Sequence, residues 1–396
     1  MDTDLIVEGF HGPGGWAEGR RILGLTTRAV GMEWDAAACA TATAAGHTVV
    51  RCDVATMPTA PFRGRVKGKV DSPPCQAWSR AGKGLGLKDQ AVVHQAVEDL
   101  ANGRDTRAKL LTACKDPRSL LAAEPMRWHH DLRPEWIAME EVPDVLPLWR
   151  QYAAILRTWG YSVWVGTLNA ADYGVPQTRR RAILIASRVR SVGPPAPTHT
   201  QHPGGEDLFG DNLPGWVSMA DALGWGATDR PVPTVTAGGG KTGGAEPFPT
   251  QARAALTASR DRGDWALRSG QTVGGEGRAE RRANEPAVTM TSRADLCAWV
   301  QTRPATTVCA TDRIAPPGHR DRSPRGESQF ASPDTVRITQ AEAALLQSFP
   351  ADYPWQGTKT KQFEQIGNAV PPLLAAHVLS AATGIPMPAT ADLAAA

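Results

Sequence analysis

The sequence has no CxxC pair. Its six cysteines (Cys39, Cys52, Cys75, Cys114, Cys297 and Cys309) share no repeated spacing, which excludes a zinc ribbon and a disulfide framework and fits a reducing compartment. The nine histidines show no ligand spacing either, so no metal site is expected; His129-His130 reads as surface. No apolar run approaches membrane-spanning length. The start, Met1-Asp2-Thr3-Asp4, is acidic and leads straight into a short apolar strand, unlike a signal peptide. A cytoplasmic location is therefore expected. Neither charge sign is in large excess: 43 Lys+Arg against 40 Asp+Glu leave a net charge of +3. That balance permits a nucleic-acid partner without requiring one. The 396 residues are 41% hydrophobic and 21% charged, a globular composition with room for one large domain and a smaller one.

Taken in order, Leu5-Ile6-Val7-Glu8 is a buried strand, and Phe10-His11-Gly12-Pro13-Gly14-Gly15 a tight turn into a helix from Trp16. Strand, glycine turn and helix let a backbone approach a cofactor closely. The glycines fall as G-x-G-G, which lacks dinucleotide spacing and favours adenosine without a pyrophosphate. Two further strand ends carry acids, Glu33 and Asp53, and Trp34 follows the first. Such acids suit nucleoside hydroxyls and amines, with Trp34 placed to cover a purine face.

Asp71-Ser72-Pro73-Pro74-Cys75-Gln76 is the stretch around which the chain is organised. Its prolines fix φ and present Cys75 on a rigid loop. A glycine-rich basic segment follows, with Ser79, Arg80, Lys83 and Lys88. A thiol so placed is either a nucleophile or a buried structural cysteine. Asp89 to Asn102 has helical periodicity; residues 103 to 133 carry no evident chemistry. Trp136 to Met139 forms a core strand ending in Glu140-Glu141, a pair that is either solvated or functional. A helix over Leu146 to Trp159 and a strand over Tyr161 to Leu168 follow. Gln177-Thr178-Arg179-Arg180-Arg181 then enters the apolar strand Ala182 to Ala186. Arginines entering a core strand need an anionic or oxygen-rich partner if they face inward.

Residues 189 to 335 change character. Glycine, proline and threonine rise, and 16 Lys+Arg balance 16 Asp+Glu, 15 of the basic residues being arginine. Arginine reads guanine edges and clamps phosphates. Short echoes at 230–236, 285–291 and 303–308 suggest recurring edge strands. Regular structure resumes at Val336, with Thr339 capping a helix to Ser348, then Gln365 to Pro372 and a helix from Leu373 to Thr383. The alanine-rich tail after Pro388 reads as disordered.

Together these blocks resemble the cytosine-5 DNA methyltransferase family. The family's F-x-G-x-G-G is Phe10 to Gly15, its P-C-Q is Pro74-Cys75-Gln76, and its E-N-V is Glu140-Glu141-Val142. Its Q-x-R-x-R is Gln177 to Arg181, its L-Q-x-F-P is Leu346 to Pro350, and its G-N-[AS]-V is Gly367 to Val370. The blocks keep the family's order and cover most of the chain outside 189–335. One departure stands out: Glu141 replaces the family asparagine, and could raise the pKa of Glu140 or disturb the loop.

The resemblance implies an α/β fold: a Rossmann-like methyltransferase catalytic domain over 1–188, completed by 336–396. A smaller, mostly β or irregular target-recognition domain would span 189–335. It implies Cys75 as the nucleophile that adds to cytosine carbon-6, Glu140 at ring nitrogen 3, and Arg179 and Arg181 holding the base carbonyl and favouring the thiolate. S-adenosylmethionine would bind through Phe10, Gly12, Gly14, Gly15, Glu33, Trp34, Asp53, Pro74, Asn368 and Val370. Gln76, Ser79, Arg80, Lys83 and Gln177 would touch double-stranded DNA, with the loop Gln76 to Lys88 closing over a flipped base. A monomer is expected, and a cognate restriction endonuclease is a possible companion. Two rivals stay open: an RNA cytosine methyltransferase of the same fold, and a catalytically dead DNA-binding relative. The long insert argues against the first, and the presence of Cys75 and Glu140 against the second.

Overall fold

The computed structural model describes residues 4–78, 85–203, 213–223, 265–273, 276–290, 297–301, 335–337 and 339–389. Its main sheet has seven strands: β1 (Leu5–Gly9), β2 (Ala29–Glu33), β3 (Val49–Arg51), β4 (Val66–Asp71), β5 (Trp136–Glu141), β6 (Ser162–Asn169) and β7 (Arg180–Ser187). The spatial order is β3-β2-β1-β4-β5-β7-β6. β1 pairs in parallel with β2 and β4, and β4 in parallel with β5, whereas β7 runs antiparallel to both of its neighbours. All six residues of β5 are buried, as are all but the first of β7. Strands covered on both faces read as continuous apolar runs, and these two do.

Alternation along the strands divides the core. Ile137, Met139, Leu184 and Ala186 face the helices Gln90–Ala101, Glu124–Leu132 and Leu146–Thr158. Trp136, Ala138, Ile183 and Ile185 face the helices Gly15–Leu23 and Pro372–Thr383. Successive side chains in a strand point to opposite faces, and each large apolar side chain so buried contributes roughly 1.5–3 kcal/mol. The two helices of the second face meet closely: a Cβ on Gly19 would lie 2.6 Å from the Ala375 Cβ.

The chain leaves β1 for β2 and β3 on one side and returns to β4 on the other. Ligands of open α/β sheets bind at this reversal, outside the carboxyl ends of the strands. Gly9 pairs with Asp71 across β1 and β4, so the glycine turn and the Cys75 loop emerge side by side. Because β7 is antiparallel, its first residues lie at that same edge: Ala182 pairs with Glu141 and Ile183 with Glu140.

A second, antiparallel sheet consists of β8 (Trp265–Val273), β9 (Glu276–Arg282), β10 (Ala298–Gln301) and β11 (Thr335–Arg337), in the order β11-β10-β8-β9. Its buried Leu267 and Trp299, with Met219, Ala287 and Met290, share one core with Phe349, Trp355, Phe363 and Ile366. The segment 340–369 thus packs on the described part of the insert, and 370–383 on the main sheet. Thr339 caps the helix Gln340–Leu346 through a full capping box with Glu342.

Two expectations fail. Residues 285–290 form no strand; they make one parallel bridge, Ala287 to Gln177, while the echoes at 230–236 and 303–308 lie outside the described residues, as does most of the alanine-rich tail. His129 is not at the surface but fully buried, its Nε2 3.3 Å from Asp71 Oδ2. The helix Glu124–Leu132 is packed on more than one side, Met126 in one core cluster and Trp128 and Leu132 in another, so His129 between them is covered.

Candidate active site

A cavity of about 610 Å³ opens at the strand reversal, bordered by the glycine turn, the Cys75 loop, the end of β5 and the start of β7. The turn is shaped by left-handed backbone at Gly12 (φ 60°) and Gly14 (φ 110°), which favours glycine. At Gly15 the constraint is space: a Cβ there would lie 2.2 Å from the Val370 carbonyl oxygen. Phe10, Gly12 and Gly15 line the cavity. Gly14 does not. Its missing Cβ would point away, to 2.7 Å from His47 Cδ2, so its role is to turn the chain rather than to face a ligand.

Glu33, Trp34 and Asp53 line one end of the cavity. Glu33 is fixed by three backbone donors: Gly12 N–H bonds Oε2 at 2.7 Å, and Trp34 and Asp35 N–H bond Oε1, each at 2.7 Å. Asp53 Oδ1 accepts from Ala55 N–H at 2.9 Å. Trp34 is 71% exposed although it borders a cavity. A large aromatic face left open beside two oriented carboxylates is the shape that an adenosine fills. Pro74, Asn368 and Val370 also line the cavity.

At the other end are Cys75, Gln76, Glu140, Glu141, Arg179 and Arg181. Cys75 opens a short 3-10 turn, Cys75–Ala77, and is half-buried. Its thiol is pushed up to about 11, by burial first and then by Glu141, against the opposing pull of Arg181. Arg181 and Arg179 pull toward the thiolate, but burial and the neighbouring acids outweigh them. Arg181 Nε meets Glu140 Oε1 at 2.8 Å, both side chains at most 10% exposed. Arg179 is fully buried and donates to the carbonyls of Met290 (2.7 Å), Gly367 (3.1 Å) and Ala369 (3.0 Å). Burial, then Arg181, lowers its pKa to about 9. Arg179 therefore holds backbone from the insert and the C-terminal segment rather than reaching out with its guanidinium ends.

Gln177 has no DNA-facing surface. It is fully buried, donates to the Leu346 carbonyl at 3.1 Å and to Gln347 Oε1 at 2.6 Å, and accepts from Met290 N–H at 3.0 Å. Ser79, Arg80 and Lys83 lie outside the described residues. Leu111, Pro117, Arg118 and Leu121 also line the cavity, from the stretch 103–133 in which the sequence signals no chemistry. Lys361, on the helix Lys359–Asn368, borders it too, and its Nζ reaches Asp35 Oδ2 at 3.0 Å. No helix is long and apolar enough to cross a membrane, and no cluster of His, Cys, Asp and Glu could hold a metal ion, among the described residues.

The family model for C-5 cytosine-specific DNA methylase matches residues 107–208 and 266–383, more than half of the chain. The chain is 26% identical over 416 residues to the Type II methyltransferase M.DdeI of Desulfomicrobium norvegicum, covering 93% of this chain and 86% of that protein. It is 27% identical over 383 residues to the Type II methyltransferase M.Eco47II of Escherichia coli, covering 92% and 75%. Among solved structures, the Entamoeba histolytica methyltransferase EhMeth superposes with a TM-score of 0.54 at 12% identity, covering 96% of this chain and 98% of that one. The Schizosaccharomyces pombe Dnmt2 methyltransferase gives 0.51 at 15%, with the same coverage; at these identities the likeness is one of fold. Its α/β sheet is the Rossmann-like methyltransferase fold, and the chain belongs to the C-5 cytosine-specific DNA methylases.

Proposed function

We propose that the chain methylates carbon-5 of a cytosine extruded from duplex DNA, through a covalent adduct with Cys75. The observation that carries this reading is one cavity holding Cys75, the Glu140–Arg181 pair and the glycine turn with Trp34. S-adenosylmethionine fits its far end: Trp34 offers an open face, Glu33 and Asp53 two oriented carboxylates, and Gly12, where a Cβ would meet nothing within 4 Å, room for close approach. When bound there it supplies an electrophilic methyl group to carbon-5.

Carbon-5 of cytosine is a weak nucleophile. Addition of the Cys75 sulfur to carbon-6 converts the ring to an enamine whose carbon-5 is nucleophilic, splitting one hard step into easier ones. A proton delivered through Glu140 to ring nitrogen 3 offsets the negative charge that the addition develops there, while Arg181, fixed by Glu140, faces the base carbonyl. Loss of the carbon-5 proton then expels the thiolate and leaves 5-methylcytosine. A stacked base cannot reach a half-buried sulfur, so the base leaves the helix first. In this reading residues 1–188 and 336–396 form the catalytic unit and 189–335 reads the target. The relatives' designation as Type II methyltransferases supports a companion endonuclease.

Duplex DNA carrying 5-fluorocytosine tests the proposal. The fluorine cannot be lost as a cation, so wild type with S-adenosylmethionine is expected to remain attached to DNA through denaturation, and Cys75→Ala to give no such band. A trap formed on RNA but not on duplex DNA, or one surviving in Cys75→Ala, would overturn it.

A further inference from the structure

The turn that carries Asp53 has little support from the sheet. It follows β3, an edge strand of three residues that pairs with β2 alone. A segment with few ladder bonds opens locally at low cost, and here side chains take the place of those bonds. Arg127 donates to the carbonyls of Val54 at 2.8 Å and Met57 at 3.0 Å, and Arg107 to that of Ala55 at 2.8 Å. Both arginines also bond the buried carboxylate of Glu124, Arg127 at 3.2 Å. The remaining nitrogens of Arg107 meet Asp105, Nε at 2.8 Å and Nη2 at 2.6 Å. Arg107 is thus engaged through its whole fork. It lies in the stretch 103–133, to which the reaction assigns no role.

Ala55 joins this clamp to the cavity. Its carbonyl accepts from Arg107, its N–H donates to Asp53 Oδ1 at 2.9 Å, and it lines the cavity beside Asp53. A shift of the carbonyl carries the amide with it and releases the carboxylate. We infer that Arg107 is a positioning residue for the cofactor: by holding the Ala55 carbonyl it keeps the Ala55 N–H on Asp53, and so keeps that carboxylate aimed at the purine amine. The inference rests on the reading of this end of the cavity as the adenosine site. Charge alone does not do this. A planar fork bonds Asp105 and Glu124 and still presents Nη1 to a carbonyl, whereas a lysine head is one compact charge on a flexible stem.

Titration calorimetry with S-adenosylmethionine and with S-adenosylhomocysteine, on wild type, R107A, D53A and the double variant, tests it. R107A is expected to weaken both ligands about tenfold, as for one hydrogen bond made by a charged group, and turnover at saturating cofactor to hold. On the D53A background, R107A should cost less than about twofold more, because the carboxylate it positions is gone. Thermal unfolding checks that each variant is folded, and R107K takes the place of R107A in the same cycle if R107A is not. An arginine that serves folding alone would lower the unfolding midpoint and leave the dissociation constants unchanged, or multiply its effect with that of D53A. Either result would overturn the inference. The 5-fluorocytosine trap separates it from the function proposed above. A trap together with multiplied losses refutes the positioning alone, and no trap with the coupling intact refutes the covalent chemistry and supports the clamp. Wild type that binds neither ligand refutes the adenosine site and the positioning with it.

Discussion

Gln177 donates its amide to Gln347 Oε1 at 2.6 Å, with both side chains fully buried and 170 residues apart in sequence. Gln347 in turn donates to the carbonyls of Ile366 and Ala369, at 3.0 and 2.8 Å. Gln347→Ala takes the side-chain donor from the Ile366 carbonyl, while the Ala369 carbonyl keeps Arg179 and the Gln177 amide keeps the Leu346 carbonyl. A buried unsatisfied group costs about 1–3 kcal/mol, so a loss of that order is expected, read as a lowered urea midpoint. Gln347→Glu, with one amide donor replaced by charge, should be no better.

Arg181→Lys keeps the charge and loses the planar fork that holds Glu140. The lysine head cannot make the same directed bond. Expected is a fall in kcat of about 10²–10³ with cofactor affinity little changed, as for the loss of one group aimed at developing charge. Quench-flow methylation of a saturating duplex measures it.

Trp34→Ala removes the open aromatic face of the cavity. The dissociation constant for S-adenosylmethionine should rise about tenfold, in keeping with roughly 1–1.5 kcal/mol for an aromatic contact. The rate at saturating cofactor should hold. Titration calorimetry gives the first number and single turnover the second.

Glu8 lies beneath the glycine turn, its Oε2 2.8 Å from His11 and its Oε1 2.7 Å from Arg20. Burial pushes its pKa up, but His11 and Arg20 pull it further down, to about 2 from 4.5. The folded state therefore holds this proton less tightly than the unfolded chain. The stability it contributes is complete above pH 4.5 and lost as pH falls toward 2. A shift of that size corresponds to about 3 kcal/mol. Denaturation at pH 7 and pH 3 should show wild type losing much of its advantage over Glu8→Gln across that interval.

The residues legible in sequence are those whose chemistry is local to a strand end. Cys75, Glu140, Arg181, Glu33 and Trp34 all border the cavity, because a strand end and the turn after it fix where a side chain goes. Gln177 belongs to the same recognisable block as Arg181 yet points into protein; sequence spacing does not tell which face a three-segment junction will bury. Gly14 illustrates the same limit within a turn, where successive residues face opposite ways. Leu111, Pro117 and Leu121 reach the cavity from the short helical segments Arg107–Leu111 and Pro117–Ala123, too brief to show a period, so no pattern marks them. The direction of β7 did leave a signal. Ten residues separate β6 from β7, fewer than the dozen or so that a parallel crossover needs.

The bonds from Arg179 to Met290, Gly367 and Ala369 bear on how such chains can be recombined. Gln177 holds the amide of the same Met290 whose carbonyl Arg179 holds. If 189–335 reads the target, as proposed, the unit exchangeable between relatives is not the whole of that segment. A graft would have to keep the host's backbone path through 287–290, and junctions placed inside that short piece would misalign the block carrying Arg181.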